Sequence, residues 1–224
     1  MKINLLLIAI LVIAAIGFGC GTQTSVTNAN SMAGMNHNGA NMPMNAMNGN
    51  MQGISNANMD HSMMKSSANA ASAPYDLQFI DTMTAHHQGA VDMAVQAYRR
   101  AEHAEIKSLA ANITSSQQSE MADMKGWRDK WFPGAAPALN MEMTGMSGSM
   151  KGMDTKMLDT LSGNEYDLAF IRHMIPHHEG AVLMAKEAQA KATKPLLKSL
   201  AEAIIKAQEA EIKQMKAWQT AWQK

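Results

Sequence analysis

Four histidines stand in two adjacent pairs, His86-His87 and His177-His178, and each pair keeps the same company. Met83 or Met174 precedes the pair and Met93 or Met184 follows it. Further along, a carboxylate and a thioether recur as Glu120 and Met124, then as Glu211 and Met215. Imidazole nitrogen binds copper in both oxidation states, and thioether sulfur is a soft ligand suited to Cu(I). A carboxylate beside them can ligate directly or orient a ligating imidazole from behind. The residues alone leave that choice open. The second set adds His173, four residues before His177 and therefore on the same helical face. It is the richer set on paper.

The elements that must position these groups are written twice. Residues 75–131 and 166–222 align without a gap, and 26 of 57 aligned positions are identical. Apolar residues recur at helical spacing through Phe79, Met83, Ala90, Met93 and Ala97, then through Ile106, Leu109, Ile113, Met124, Trp127 and Trp131. A break falls near residues 102–105, and Pro133-Gly134 stops the second helix. In the second copy, Thr193-Lys194-Pro195 reads as a helix start. Each copy is therefore a helical hairpin. The predicted fold is all-α, a four-helix bundle with pseudo-twofold symmetry built from two hairpins. At about 100° per residue, His86 falls in the centre of its apolar stripe and His87 at its edge, and Glu120 and Glu211 fall mid-stripe on the partner helices. A core carboxylate is costly unless paired or metal-bound. The plain alternative to a metal site is a His–Glu hydrogen bond that satisfies both groups and does nothing else. Pro176 is expected to kink its helix beside the second histidine pair. His103 has no histidine counterpart and lies near a helix end, so it is expected at the surface.

Composition bounds the rest. The chain has 224 residues, no net charge, and no basic patch that argues for nucleic acid. Residues 1–20 read as a secretory signal with a lipobox-like end, and Cys20, the single cysteine, is the candidate lipidation site. All readings of this segment export the protein, to the periplasm or cell envelope, with a lipid anchor to the membrane. Of 23 methionines, many lie outside the periodic helices. Residues 21–74 form a Met- and Asn-rich segment too polar to fold, expected as a disordered tether. It offers Met35, His37, Met59, His61, Met63 and Met64 as accessory soft ligands. Residues 132–165 are a Met-rich linker between the hairpins, with a short helix expected over 154–161.

The double His-His-x-Gly-Ala-x-x-Met-Ala signature, with Tyr-Asp-x-x-Phe-Ile upstream and Glu…Met-x-x-Trp downstream, resembles domain-of-unknown-function family 305. That family includes exported, ferritin-like copper-binding proteins of the CopM type. The resemblance implies copper bound through His and Met outside the cytoplasm. Carried onto this chain, it points to His86, His87 and Met93, and to His177, His178 and Met184. The first copy departs from the second at Thr84-Ala85, where Ile175-Pro176 stand.

The favoured function is a copper buffer or carrier in metal tolerance, not an enzyme, with copper ions and a copper-export or copper-delivery protein as its partners. The first alternative is a ferritin-like di-metal oxidase, which wants about four carboxylates and Glu-x-x-His pairs. No Glu-x-x-His occurs in this chain. The second alternative is a membrane-tethered helical interaction module that binds no metal.

Overall fold

The computed structural model describes residues 64–150 and 155–223. Every regular element among those residues is helical. Helix α1 spans Tyr75–Arg100, α2 Ala104–Trp131, α3 Met146–Ser149, α4 Gly163–Lys191 and α5 Pro195–Trp222. Two 3-10 turns, Ala70–Ser72 and Thr155–Leu158, complete the set. The second of these occupies the stretch where a short helix is expected; α3 is an addition that no periodicity announced. Helix α4 runs unbroken through Pro176.

The four long helices form two hairpins, α1 with α2 and α4 with α5, which meet chiefly where α1 packs on α4. The ends show that α1 and α4 run antiparallel. Asp76, in the first turn of α1, accepts hydrogen bonds from the backbone N–H and hydroxyl of Thr193, just beyond the end of α4. Asp167, near the start of α4, accepts from the backbone N–H of Glu102 at 3.1 Å and of His103 at 2.7 Å, just beyond the end of α1. Each hairpin turn is thus closed by a carboxylate from the other hairpin. Both aspartates are buried, and they satisfy backbone donors that would otherwise be orphaned between helices.

Aromatic contacts repeat the same crossing. Arg100 lies over the Tyr166 ring at 5.3 Å, and Lys191, its counterpart, over the Tyr75 ring at 5.8 Å. His103 stacks on Trp222 with centroids 3.8 Å apart, and Lys194 lies 5.6 Å above Trp131. His103 is therefore half-buried, pinned between Trp222 and Asp167, with Nδ1 2.7 Å from the carboxylate. The surface position expected for it is wrong, because its partners come from the other hairpin. The four tryptophans form two stacked pairs, Trp127–Trp131 and Trp218–Trp222, packed against the core.

The linker is part of the fold. On α1, Asp81 binds Arg128 at 2.6 Å and accepts the Ala138 N–H at 2.8 Å, while Thr82 Oγ1 accepts the Asn140 N–H at 3.0 Å. The chain then crosses to α4. There Thr144 hydrogen-bonds the Glu187 carboxylate, which Lys191 foremost holds below the ordinary carboxylate range. Gly145, at φ 91°, meets Gly180. A Cβ on either glycine would collide with the other segment's backbone or with Ser149, so the close approach requires both. Met143, Met146 and Met150 from this strap are buried in the common core. They are core side chains, each contributing about 1.5–3 kcal/mol of burial.

Candidate metal centre

The histidine pairs occupy the middle of α1 and α4, where those helices cross. All four imidazoles are fully buried. They form a row. His86 and His177 sit at the centre with ring centroids 3.7 Å apart, His87 lies 6.5 Å beyond His86, and His178 lies 6.1 Å beyond His177. The pairing of equivalent residues places the pseudo-twofold axis between His86 and His177.

Each imidazole is held at Nε2. His87 Nε2 lies 2.6 Å from Glu120 Oε2 on α2, and His178 Nε2 lies 2.6 Å from Glu211 Oε2 on α5. His86 Nε2 lies 2.9 Å from Ser149 Oγ on α3, and His177 Nε2 lies 3.0 Å from the carbonyl oxygen of His86. One histidine of each pair therefore faces its own hairpin partner; of the other two, His86 faces the linker and His177 the opposite hairpin. Sequence reasoning placed His87 at a stripe edge because it assumed one buried face per helix. Helix α1 is packed by α2 and α4 on different sides, so both faces are interior. Glu120 is buried, as the helical spacing predicts, and Glu211 is half-buried.

Electrostatics keep the central histidine neutral. His86 titrates well below the ordinary histidine range, first because burial penalises its cation and then because charge on His177, His87 or His178 would repel it. A neutral imidazole keeps a lone pair, which metal binding requires. Nδ1 of His86, His87 and His178 is buried with no hydrogen-bond partner.

The thioethers of the prediction, Met83, Met93, Met124, Met174, Met184 and Met215, are all buried in the same core cluster as the helices that carry the histidines. Met124 Sδ also accepts a contact from Thr84 Oγ1 at 3.9 Å. His173 stands apart from the row. It is half-buried, and burial, then Arg172, holds its pKa below the usual value. Its counterpart in the first copy is Thr82, which receives the linker instead. Met64 packs at the edge of the core. Cys20, Met35, His37, Met59, His61 and Met63 lie outside the described residues.

Ser149 is the participant that sequence reasoning missed. It has no counterpart in a repeat, and the one signal for it was the Gly-rich run Gly145-Met-Ser-Gly-Ser-Met150. Among the described residues, no three His, Cys, Asp or Glu side chains converge as a ready metal cage. A metal here would draw on sulfur as well as nitrogen. Among the described residues, no helix is long and apolar enough to cross a membrane.

Comparison with known proteins follows the same line. No match is found among curated protein sequences. Among solved structures, CopM in the Cu(I)-bound form is 43% identical with a TM-score of 0.56, covering 66% of this chain and 96% of that one. CopM in the Cu(II)-bound form is 42% identical with a TM-score of 0.57, covering 66% and 97%. A DUF305 protein from Streptomyces coelicolor, described as secreted, is 31% identical with a TM-score of 0.58, covering 69% and 96%. The profile of the family Domain of unknown function (DUF305) matches residues 76–219, the whole of both hairpins but for a few terminal residues, and the chain belongs to that family.

Proposed function

We propose that the protein is an exported copper-binding protein that buffers, sequesters or carries copper in metal tolerance. The observation that carries this reading is the row of four buried imidazoles where α1 crosses α4, set in a core rich in thioethers. A core that needed packing alone would be cheaper to fill with apolar side chains. The likeness to copper-bound CopM supports copper as the cargo. Nitrogen and sulfur donors together suit Cu(I), with Cu(II) accessible through imidazole. The ligands are drawn from His86, His87, Met83, Met93 and Met124 in the first hairpin and from His177, His178, Met174, Met184 and Met215 in the second. His173 stands as an outlying donor. The role is binding without turnover. The di-metal oxidase reading is weaker because Glu120 and Glu211, the carboxylates facing the row, are each engaged by a histidine. Export through residues 1–20, lipidation of Cys20 and soft-ligand service by Met35, His37, Met59, His61 and Met63 belong to the same proposal.

One observation favours the metal-free module. The two His–Glu bonds satisfy both partners at Nε2 and need no ion. The test is a Cu(I) competition titration against a chromophoric chelator, run on the full chain, on His177→Ala with His178→Ala, and on His86→Ala with His87→Ala. A histidine centre loses tight binding in both double variants. Unchanged binding in both assigns copper to the methionine-rich segment. A full chain that binds no copper, and whose melting temperature copper leaves unmoved, establishes the module, since a ligand bound to the native state raises stability by mass action.

A further inference from the structure

All four histidines meet an acceptor at Nε2, and this fixes where their protons are. The Glu120 and Glu211 carboxylates accept hydrogen bonds, so the Nε2 atoms of His87 and His178 at 2.6 Å must donate. The backbone carbonyl of His86 accepts as well, so His177 Nε2 donates at 3.0 Å. Ser149 is the ambiguous partner by type, since a hydroxyl can do either. Its one proton is already committed, because Ser149 Oγ donates to the Met146 carbonyl at 2.9 Å. Ser149 Oγ therefore accepts from His86 Nε2–H at 2.9 Å. A second proton on Nδ1 of His86, His87 or His178 would be a buried N–H without an acceptor, which costs about 1–3 kcal/mol. These rings are Nε2–H tautomers whose Nδ1 carries a buried lone pair facing no donor.

We infer that copper engages this centre through Nδ1, and that Glu120, Glu211 and Ser149 are positioning residues that never touch the metal. The inference rests on the copper reading above and settles the role of the glutamates within it. Each acceptor grips the far nitrogen, fixes the tautomer, and stops the ring from turning its lone pair away. A ligating histidine oriented by a carboxylate on its other nitrogen is a recognised arrangement, and loss of such a partner costs about 10–100-fold in affinity. The two glutamates hold the outer rings, His87 and His178, and the neutral acceptors, Ser149 and the His86 carbonyl, hold the inner rings, His86 and His177. Among the described residues no three His, Cys, Asp or Glu side chains form a cage, as expected where the carboxylates serve to orient the rings.

The experiment is long-range 1H–15N correlation NMR on the full chain with 15N-labelled histidine, without metal and with Ag(I), a diamagnetic soft ion. Without metal, His86, His87 and His178 should each show a protonated Nε2 and an unprotonated Nδ1. With Ag(I), the Nδ1 resonances should move while the Nε2–H signals persist. Glu120→Gln and Glu211→Gln keep an acceptor and should lower Ag(I) affinity less than tenfold, while Glu120→Ala and Glu211→Ala should lower it about 10–100-fold. Movement at Nε2 with loss of its proton overturns the Nδ1 assignment and leaves the copper reading intact. A Glu→Gln loss as large as that of His87→Ala makes the glutamate a direct ligand and overturns the positioning role. Ag(I) that moves no histidine resonance overturns both the inference and the histidine copper centre.

Discussion

At the ends of α1 and α4 the two hairpins do the same thing to each other; at the middle they do not. Asp76 and Asp167, Tyr75 and Tyr166, and Trp131 and Trp222 each reach across to the opposite turn and meet an equivalent partner. At the crossing, His86 turns to Ser149 of the linker strap, while His177 turns to the His86 backbone. The two equivalent rings pack 3.7 Å apart at the crossing, and the linker offers an oxygen to His86 alone. Duplication therefore builds a symmetrical frame, and the unduplicated segment between the copies gives the centre its direction.

The largest effects should come from cutting the frame. Asp76→Ala removes the acceptor of one backbone N–H and one hydroxyl, Asp167→Ala that of two backbone N–H groups and the His103 ring, and hydrogen bonds to a charged group carry about 1.5–3 kcal/mol. Both variants should lose about 2–4 kcal/mol in chemical denaturation, since part of each penalty is relieved by water at these half-open turns. Near-equal losses would establish the ends as equivalent; a large loss for one alone would break the symmetry claimed for them.

The strap should give a smaller and one-sided effect. Gly180→Ala drives a methyl group into Ser149 and the Gly145 carbonyl, and overpacking of this kind costs about 1–3 kcal/mol. It should also free His86 Nε2 from Ser149, visible as a change in the His86 ring resonances with those of His178 unmoved. Equal disturbance of His86 and His178 would mean that the strap serves the two halves alike.

Acidification probes the centre against the ends. His86 is held neutral in the fold, below its usual pKa, whereas an unfolded chain protonates it near pH 6.5. Below about pH 6.5 the unfolded state binds the extra proton, so stability falls as pH falls, at up to about 1.4 kcal/mol per pH unit for this one group. His86→Gln should flatten the slope between pH 6.5 and 5 by that amount. An unchanged slope would show that the fold does not hold His86 neutral.

How much of this was legible in the sequence depended on period and on distance. The hairpins, their turns and the inward aim of Glu120 and Glu211 followed from the 3.6-residue repeat, which local spacing records. The linker did not. Met143, Met146 and Met150 are core residues with no helix long enough to show a period, and their burial depends on the Gly145–Gly180 contact between distant segments. Asp76 and Asp167 were visible as a repeated Tyr-Asp, yet nothing local says that each closes the other hairpin's turn. His87 was underrated because a helix with two packed sides has no single stripe. The same blindness applied to His103, whose alignment partner is a lysine. The two share no chemistry except a cationic or aromatic face for the opposite tryptophan.

That last pair offers the finest test of the frame. His103 stacks on Trp222 with planes 10° apart and also pairs with Asp167, whereas Lys194 holds Trp131 by a cation–π contact alone. Stacking of this kind is worth about 0.5–1.5 kcal/mol and a half-exposed cation–π contact about 0.5–1 kcal/mol. His103→Ala should therefore cost slightly more than Lys194→Ala, with both near 1 kcal/mol. A double-mutant cycle of His103→Ala with Trp222→Ala should return a coupling near 0.5 kcal/mol, since residues in contact couple and distant ones add. Strict additivity would mean that the ring contact closes no part of the frame. Asp167 alone would then hold that end, and the two turns would be fastened by their buried carboxylates, with the aromatic residues merely lying against them.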